Sequence, residues 1–143
     1  MKEKTEEQVL VRRSMRLVLL LSVVYALAGN IFFYSGYYNN NVIEWSYLIS
    51  VIMIIAFALP VVMLFRNRHW YFPLFIFLFW IPFSVLIAFL LSRVLPLSGE
   101  QDLALMLFYF LILNLMVILV GIALGMSING FLMLWKKLKR PTE

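Results

Sequence analysis

The chain has 143 residues, of which 64% are hydrophobic and only 13% are charged, whereas soluble domains average about 45–50% apolar and about 25% charged residues. It contains no Cys, which excludes disulfides, thiolate chemistry and Cys-based zinc sites. Its single His, His69, excludes a haem held by two His ligands of this chain. The net charge of +5 arises from basic residues at the ends of apolar runs, a pattern typical of membrane topology rather than of nucleic-acid binding.

Four apolar segments are long enough to span a bilayer, since a spanning helix needs about 20 largely apolar residues. They cover about 17–36, 42–65, 70–92 and 103–135, and Glu44 is the only Asp, Glu, Lys or Arg within them. The pattern predicts an all-α integral membrane protein, a four-transmembrane-helix bundle that forms one membrane domain. A short cytoplasmic arm (1–16) and a basic tail (136–143) flank it. The arm either lies on the cytoplasmic leaflet or extends the first helix.

The breaks between the segments carry turn and capping signals. Asn41 followed by Glu44, and Ser98 followed by Gln101, have the spacing of a capping box. Pro96 favours a chain break before the fourth segment.

The distribution of positive charge predicts the orientation. Eleven of the 12 Lys and Arg residues lie in the arm, the second connection or the tail, and Arg93 alone lies in the other set of connections. The positive-inside rule therefore predicts that both termini are cytoplasmic, in a multi-pass protein of the cell (plasma) membrane. One alternative remains open: 17–25 resembles the apolar region of a signal peptide, with Ala26 and Ala28 as its cleavage motif. Cleavage would leave three spans.

The fourth segment carries a stripe of polar and small residues: Asn114, Gly121, Gly125 and Asn129. At 100° per residue these positions fall within about 80° of the helix surface. Gly121 and Gly125 form a G-x-x-x-G pair, which allows two helix backbones to approach closely. The interpretation favours packing within the chain's own bundle, and contact with another chain remains the alternative.

The first segment carries a related stripe of Ser22, Ala26, Gly29 and Asn30. We expect it to meet the fourth segment or a neighbouring helix. A small cavity lined by Asn30 is the less favoured alternative, because bulky side chains leave little room between four helices.

Two surface features are predicted at the membrane boundaries. Five aromatic residues around the first connection are typical of an interfacial belt: Tyr34, Tyr37, Tyr38, Trp45 and Tyr47. Basic residues on the cytoplasmic side form a candidate surface for anionic lipid, or simply a stop-transfer anchor: Arg66, Arg68, Lys136, Lys137, Lys139 and Arg140.

The sequence shows no catalytic, nucleotide, cofactor or metal motif, so no enzyme activity, cofactor or metal is expected. No ionisable residue lies deeper than an end turn of a span, which disfavours ion-coupled transport. The leading hypothesis is a non-enzymatic accessory or structural subunit that binds another integral membrane protein, or a second copy of itself, through its helices. The alternative is a small membrane-acting protein: a holin-like or passive channel oligomer, or an immunity protein against a membrane toxin.

Overall fold

The computed structural model describes residues 2–65, 72–97 and 103–140. These residues are nearly all helical and form α1 (Lys2–Tyr38), α2 (Asn40–Glu44), α3 (Ser46–Leu64), α4 (Phe72–Val94) and α5 (Leu103–Lys139). The four long helices are all long and apolar enough to cross a membrane, whereas α2 is a single short turn.

Helix α1 includes the N-terminal arm, so the arm extends the first helix. The physical reason is local: the arm consists mostly of Lys, Glu, Gln, Leu, Met and Arg, which have high helix propensity, and contains neither Gly nor Pro. Helix α5 likewise continues beyond the predicted end of the fourth span and takes in Lys136, Lys137 and Lys139.

The connection between α1 and α3 differs from the sequence prediction. The N-cap of α2 is Asn39, whose side chain accepts a hydrogen bond from the backbone N–H of Asn41 at 3.0 Å. The predicted cap at Asn41 is therefore wrong, since an extended residue immediately before the turn is the one that can cap it. Trp45 then interrupts the helix, and α3 begins at Ser46 rather than at residue 42.

The closest helix pairs are parallel and are not neighbours in sequence. Helix α1 packs along α4, where Ser22 meets Ile76 and Asn30 meets Ser84, both at a separation of 54 residues. Helix α3 packs along α5, where Phe57 lies against Gly121 and Val61 against Gly125. A constant separation along two helices means that they run in the same direction.

Helices α1 and α5 run in opposite directions. The backbone of Gly29 contacts Asn114, and the ring of Phe33 lies 5.7 Å from that of Phe110. Advancing four residues on α1 thus corresponds to going back four residues on α5. The start of α1 and the end of α5 therefore lie at the same end of the bundle, which we call the basic end.

The core is built from all four long helices. A main cluster of buried residues includes Val18 and Tyr25 of α1, Val61 of α3, Ile76 of α4 and Ile118 of α5. A smaller aromatic cluster around Phe110 lies towards the other end. The most apolar stretch of α1 is 56% buried, against 11–22% in the other long helices, so α1 is the central helix.

Candidate functional site

The glycines of the fourth span pack against α3 of the same chain. A Cβ atom placed on Gly125 would lie 2.7 Å from Cβ of Val61 and 3.1 Å from the carbonyl oxygen of Ala58. One placed on Gly121 would lie 3.0 Å from Cβ of Phe57. Real Cβ atoms essentially never come as close as 2.7 Å, and contacts of 3.0–3.1 Å are tighter than most that they make. The two backbones therefore lie in near contact because both residues lack a side chain.

The two asparagines of this stripe reach different helices. Asn129 donates from Nδ2 to the carbonyl oxygen of Val61 on α3, at 3.1 Å. Asn114 donates to the carbonyl oxygen of Gly29 on α1, at 3.2 Å. The predicted stripe therefore divides between two neighbours, with only its Asn114 end turned towards α1.

The stripe of the first span also serves two contacts. Ser22 and Asn30 donate to the carbonyl oxygens of Ile76 and Ser84 on α4, at 3.1 and 3.2 Å. Gly29 instead meets Asn114, whose Oδ1 would lie 3.2 Å from an added Cβ. Ala26 is fully buried in the core, and Asn30 is 7% exposed. The amide of Asn30 thus takes part in a helix contact.

Sequence reasoning missed three contacts. The hydroxyl of Tyr25 donates to the carbonyl oxygen of Phe57, and the two rings stack with centroids 4.0 Å apart. Ser46 and Tyr109 share a hydrogen bond of 2.7 Å between α3 and α5. A Cβ on Gly36 would overlap the ring of Phe110. Tyr25 could have been recognised from the sequence, because it lies in the middle of the first segment and a buried phenol requires a polar partner.

Most of these polar contacts share one chemistry. A side-chain donor on one helix bonds a backbone carbonyl of another, as at Tyr25, Asn30, Asn114 and Asn129. A carbonyl has two lone pairs, so it can accept such a bond while keeping its helical one. Among the described residues, the Oδ1 atoms of Asn114 and Asn129 are buried without a hydrogen-bond partner.

Only part of the predicted surface for anionic lipid lies within the described residues. At the basic end, Lys136, Lys137 and Lys139 are exposed on the last turns of α5, and Arg140 follows. Arg66, Arg68 and His69 lie outside the described residues, as does the predicted cap at residues 98–101.

The predicted aromatic belt is split in the structure. Tyr34 is only 6% exposed and packs on Phe33, whereas Trp45 and Tyr47 are 60% and 71% exposed. Tyr38 donates to the carbonyl oxygen of Pro96 at 3.3 Å and borders a groove of about 490 Å³ between α1 and α4. The belt residues therefore serve both the core and the surface.

Comparisons of the chain with protein-family models, with curated proteins and with solved structures found no match. The function has to be argued from the helix contacts and the exposed surfaces.

Proposed function

We propose that the chain is a multi-pass membrane protein that crosses the bilayer four times, with both termini in the cytoplasm. Four long apolar helices support the crossings. The exposed lysines of α5 and the arginines of the arm lie at one end of the bundle. Arg93 lies at the opposite end, in the last turn of α4. The positive-inside rule assigns the richer end to the cytoplasm.

Thiol labelling tests this orientation cleanly, because the chain has no native Cys. In intact cells, Asn40→Cys is expected to react with an impermeant maleimide and Thr142→Cys only after the membrane is permeabilised. The reverse labelling pattern would overturn the orientation, and labelling of both from outside would remove the even number of spans.

Within this topology, we propose that the protein is a non-enzymatic accessory or structural subunit that binds another integral membrane protein. The observation that carries this proposal is an apolar stripe on the outward side of α5: Phe131, Leu134 and Leu138. Their side chains are 63%, 61% and 84% exposed. They are spaced by three and four residues, so they share one side of the helix.

Phe131 and Leu134 belong to the predicted fourth segment, 103–135, but that segment is longer than the roughly 30 Å of hydrocarbon requires, and the helix register supports a position of the stripe beyond the hydrocarbon. The antiparallel register places Leu17, the first residue of the apolar run in α1, level with Met126. Phe131 is then level with Arg12, and Leu138 lies about 18 Å past Leu17 at 1.5 Å per residue. A contiguous apolar surface outside the hydrocarbon favours a protein partner.

A partner of different sequence fits this stripe better than a second copy. If two α5 helices met through it, the Lys136, Lys137 and Lys139 clusters of both copies would lie side by side at the same height. Like charges at that distance oppose association. A different membrane protein could match the apolar stripe with an apolar helix end and the lysines with acidic side chains beside it.

Photo-crosslinking in the native membrane tests the proposal. A photoreactive amino acid replacing Leu134 is expected to give one discrete adduct with a different membrane protein. Val120 is the matched control, because it is 41% exposed on the same side of α5 but lies within the span. Adducts at Leu134 with lipid alone, or with a second copy alone, would contradict an accessory role.

A further inference from the structure

A groove of about 490 Å³ opens between α1, α2 and α4, at the end of the bundle opposite the basic end. Its volume falls within the range of about 300–1,000 Å³ that is usual for ligand pockets. Its wall is apolar on α4, at Leu91 and Leu95, and mixed on α1, at Ile31, Tyr34 and Ser35. All of the residues that line it belong to the described part of the chain.

The hydroxyl of Tyr34 is an unpaired donor in this groove. The Tyr34 side chain is only 6% exposed, and its ring packs 5.2 Å from that of Phe33. The hydroxyl has no hydrogen-bond partner among the described residues, yet it is not sealed in the core, so it opens into the groove that Tyr34 lines. Tyr38, by contrast, already donates to the carbonyl oxygen of Pro96. Because a buried phenol usually has a polar partner, the Tyr34 hydroxyl indicates an acceptor from another molecule.

The groove carries no charge among the residues described. Its lining combines apolar and uncharged polar side chains, without Asp, Glu, Lys or Arg. Arg93 lies two residues from both Leu91 and Leu95, which places it about 200° away around α4. Its guanidinium lies over the ring of Phe89, 5.0 Å from the centroid. A ligand with a net charge would meet no counter-ion in the groove, whereas an uncharged or zwitterionic ligand needs none.

The depth of Tyr34 narrows the class of ligand. Leu17 begins the apolar run of α1, and Tyr34 lies about 26 Å further along the helix at 1.5 Å per residue. The hydrocarbon core of a bilayer is about 30 Å thick, so the Tyr34 hydroxyl lies near its boundary with the headgroups. Tyrosine is enriched at this boundary because its ring is apolar and its hydroxyl is polar. The acceptors that lipids offer at this depth are the ester carbonyls of glycerolipids.

We propose that the groove binds one glycerolipid of no net charge. One acyl chain lies against Ile31, Leu91 and Leu95, and the Tyr34 hydroxyl donates to an ester carbonyl of the same lipid. The headgroup stays outside the groove, where no charged side chain is needed to hold it. Such a site requires the proposed crossing of the bilayer, but it does not require the accessory role.

Two forms of phosphatidylcholine test the hydrogen bond. The diester form has the ester carbonyls and the diether form lacks them, whereas the headgroup and the chains are the same. Native mass spectrometry of the delipidated protein in mild detergent, titrated with each lipid, measures both dissociation constants. The unaltered protein is expected to bind one diester molecule about 2–10-fold more tightly than the diether, as one hydrogen bond implies. Tyr34→Phe should lose this preference, and Tyr47→Phe, at an exposed tyrosine outside the groove, should keep it.

A second pair of variants tests whether the lipid occupies the groove itself. Ser35 is exposed on the groove, and Ser92 is exposed on α4 outside it. Ser35→Trp is expected to fill the groove and abolish retention of the diester, whereas Ser92→Trp should leave retention unchanged. Thermal unfolding in detergent checks that each variant is folded, and Tyr34→Phe keeps the buried ring. Equal binding of diester and diether by the unaltered protein, or equal losses in the two tryptophan variants, overturns the proposal.

Further outcomes identify other occupants of the groove. Tighter binding of phosphatidylglycerol than of phosphatidylcholine, lost in Arg93→Gln, would assign an anionic lipid and contradict the neutral class. A Ser35→Cys thiol that reacts with a maleimide in lipid-free detergent, and that diester phosphatidylcholine protects, supports the proposal. A thiol that is unreactive without lipid shows that the chain itself covers the groove, and the proposal is then wrong. Labelling of Asn40→Cys and the crosslink from Leu134 do not depend on the groove, so the topology, the accessory role and the lipid site can fail separately.

Discussion

The two parallel helix pairs are held together by different physical means. Between α1 and α4, Ser22 and Asn30 donate hydrogen bonds across the interface to backbone carbonyls. Between α3 and α5, Gly121 and Gly125 bring two backbones almost into contact, and one bond from Asn129 accompanies them. Polar bonds contribute little net free energy in lipid because alternative partners exist, whereas close packing depends on every atom of the contact. The glycine interface should therefore be the more sensitive one.

The largest expected effect is that of Gly125→Leu. The added Cβ alone would lie 2.7 Å from Val61 and close to a backbone carbonyl, so α3 and α5 must separate. We expect a loss of about 3 kcal/mol or more in the free energy of unfolding, at the upper end of the usual cost of overpacking. Unfolding of the isolated protein in detergent measures it.

Gly130→Leu is the matched control for this substitution, since nothing lies within 4 Å of a Cβ at Gly130. If both leucine variants unfold alike, the glycine contact with α3 is wrong. If Gly125→Leu instead leaves the isolated protein folded and only dissociates a complex, the glycine stripe contacts a partner.

A smaller effect is expected for Asn30→Ala in the α1/α4 interface. Its Nδ2 has two hydrogens, one for Ala26 of its own helix and one for Ser84 of α4. Interhelical bonds of this kind contribute about 0.6 kcal/mol on average and at most about 1.7 kcal/mol.

Ser22→Ala should lower the free energy of unfolding by less than Asn30→Ala does. The comparison tests which side chains donate the hydrogen bonds between α1 and α4. Ser22 has a single hydroxyl hydrogen, which it divides between Val18 of α1 and Ile76 of α4. Both variants are compared by the same unfolding measurement in detergent. A Ser22→Ala cost larger than that of Asn30→Ala would contradict the assigned donors.

The only stabilising effect is expected for Gly130→Ala. Gly130 lies in the helix interior of α5 with open space around it, and alanine is favoured over glycine there by about 0.8–1.0 kcal/mol. Gly125→Ala, five residues earlier on the same helix, should destabilise, because its added Cβ would lie 2.7 Å from Cβ of Val61. Two glycines of one helix are thus expected to respond to one substitution with opposite signs, which thermal unfolding in detergent can resolve.

Local sequence predicts the number and length of the helices better than it predicts their exact ends. Apolar content and length predicted four long helices, and the structure contains them. Helix propensity explains why the arm joins α1, since most of its residues favour the helical conformation and none is Gly or Pro. The cap at Asn41 was predicted wrongly, because several adjacent asparagines match the capping pattern and only the backbone conformation selects Asn39.

The sequence by itself determined which positions on each helix are small or polar, because helical periodicity is a property of one segment. It placed Asn114, Gly121, Gly125 and Asn129 on one stripe but not the helices that they contact. Only the tertiary structure decided that the stripe divides between α1 and α3, and that the close pairs are parallel. Helix pairing depends on the joint fit of side chains from all four helices, including Tyr25 and Phe57, and no single segment contains that information.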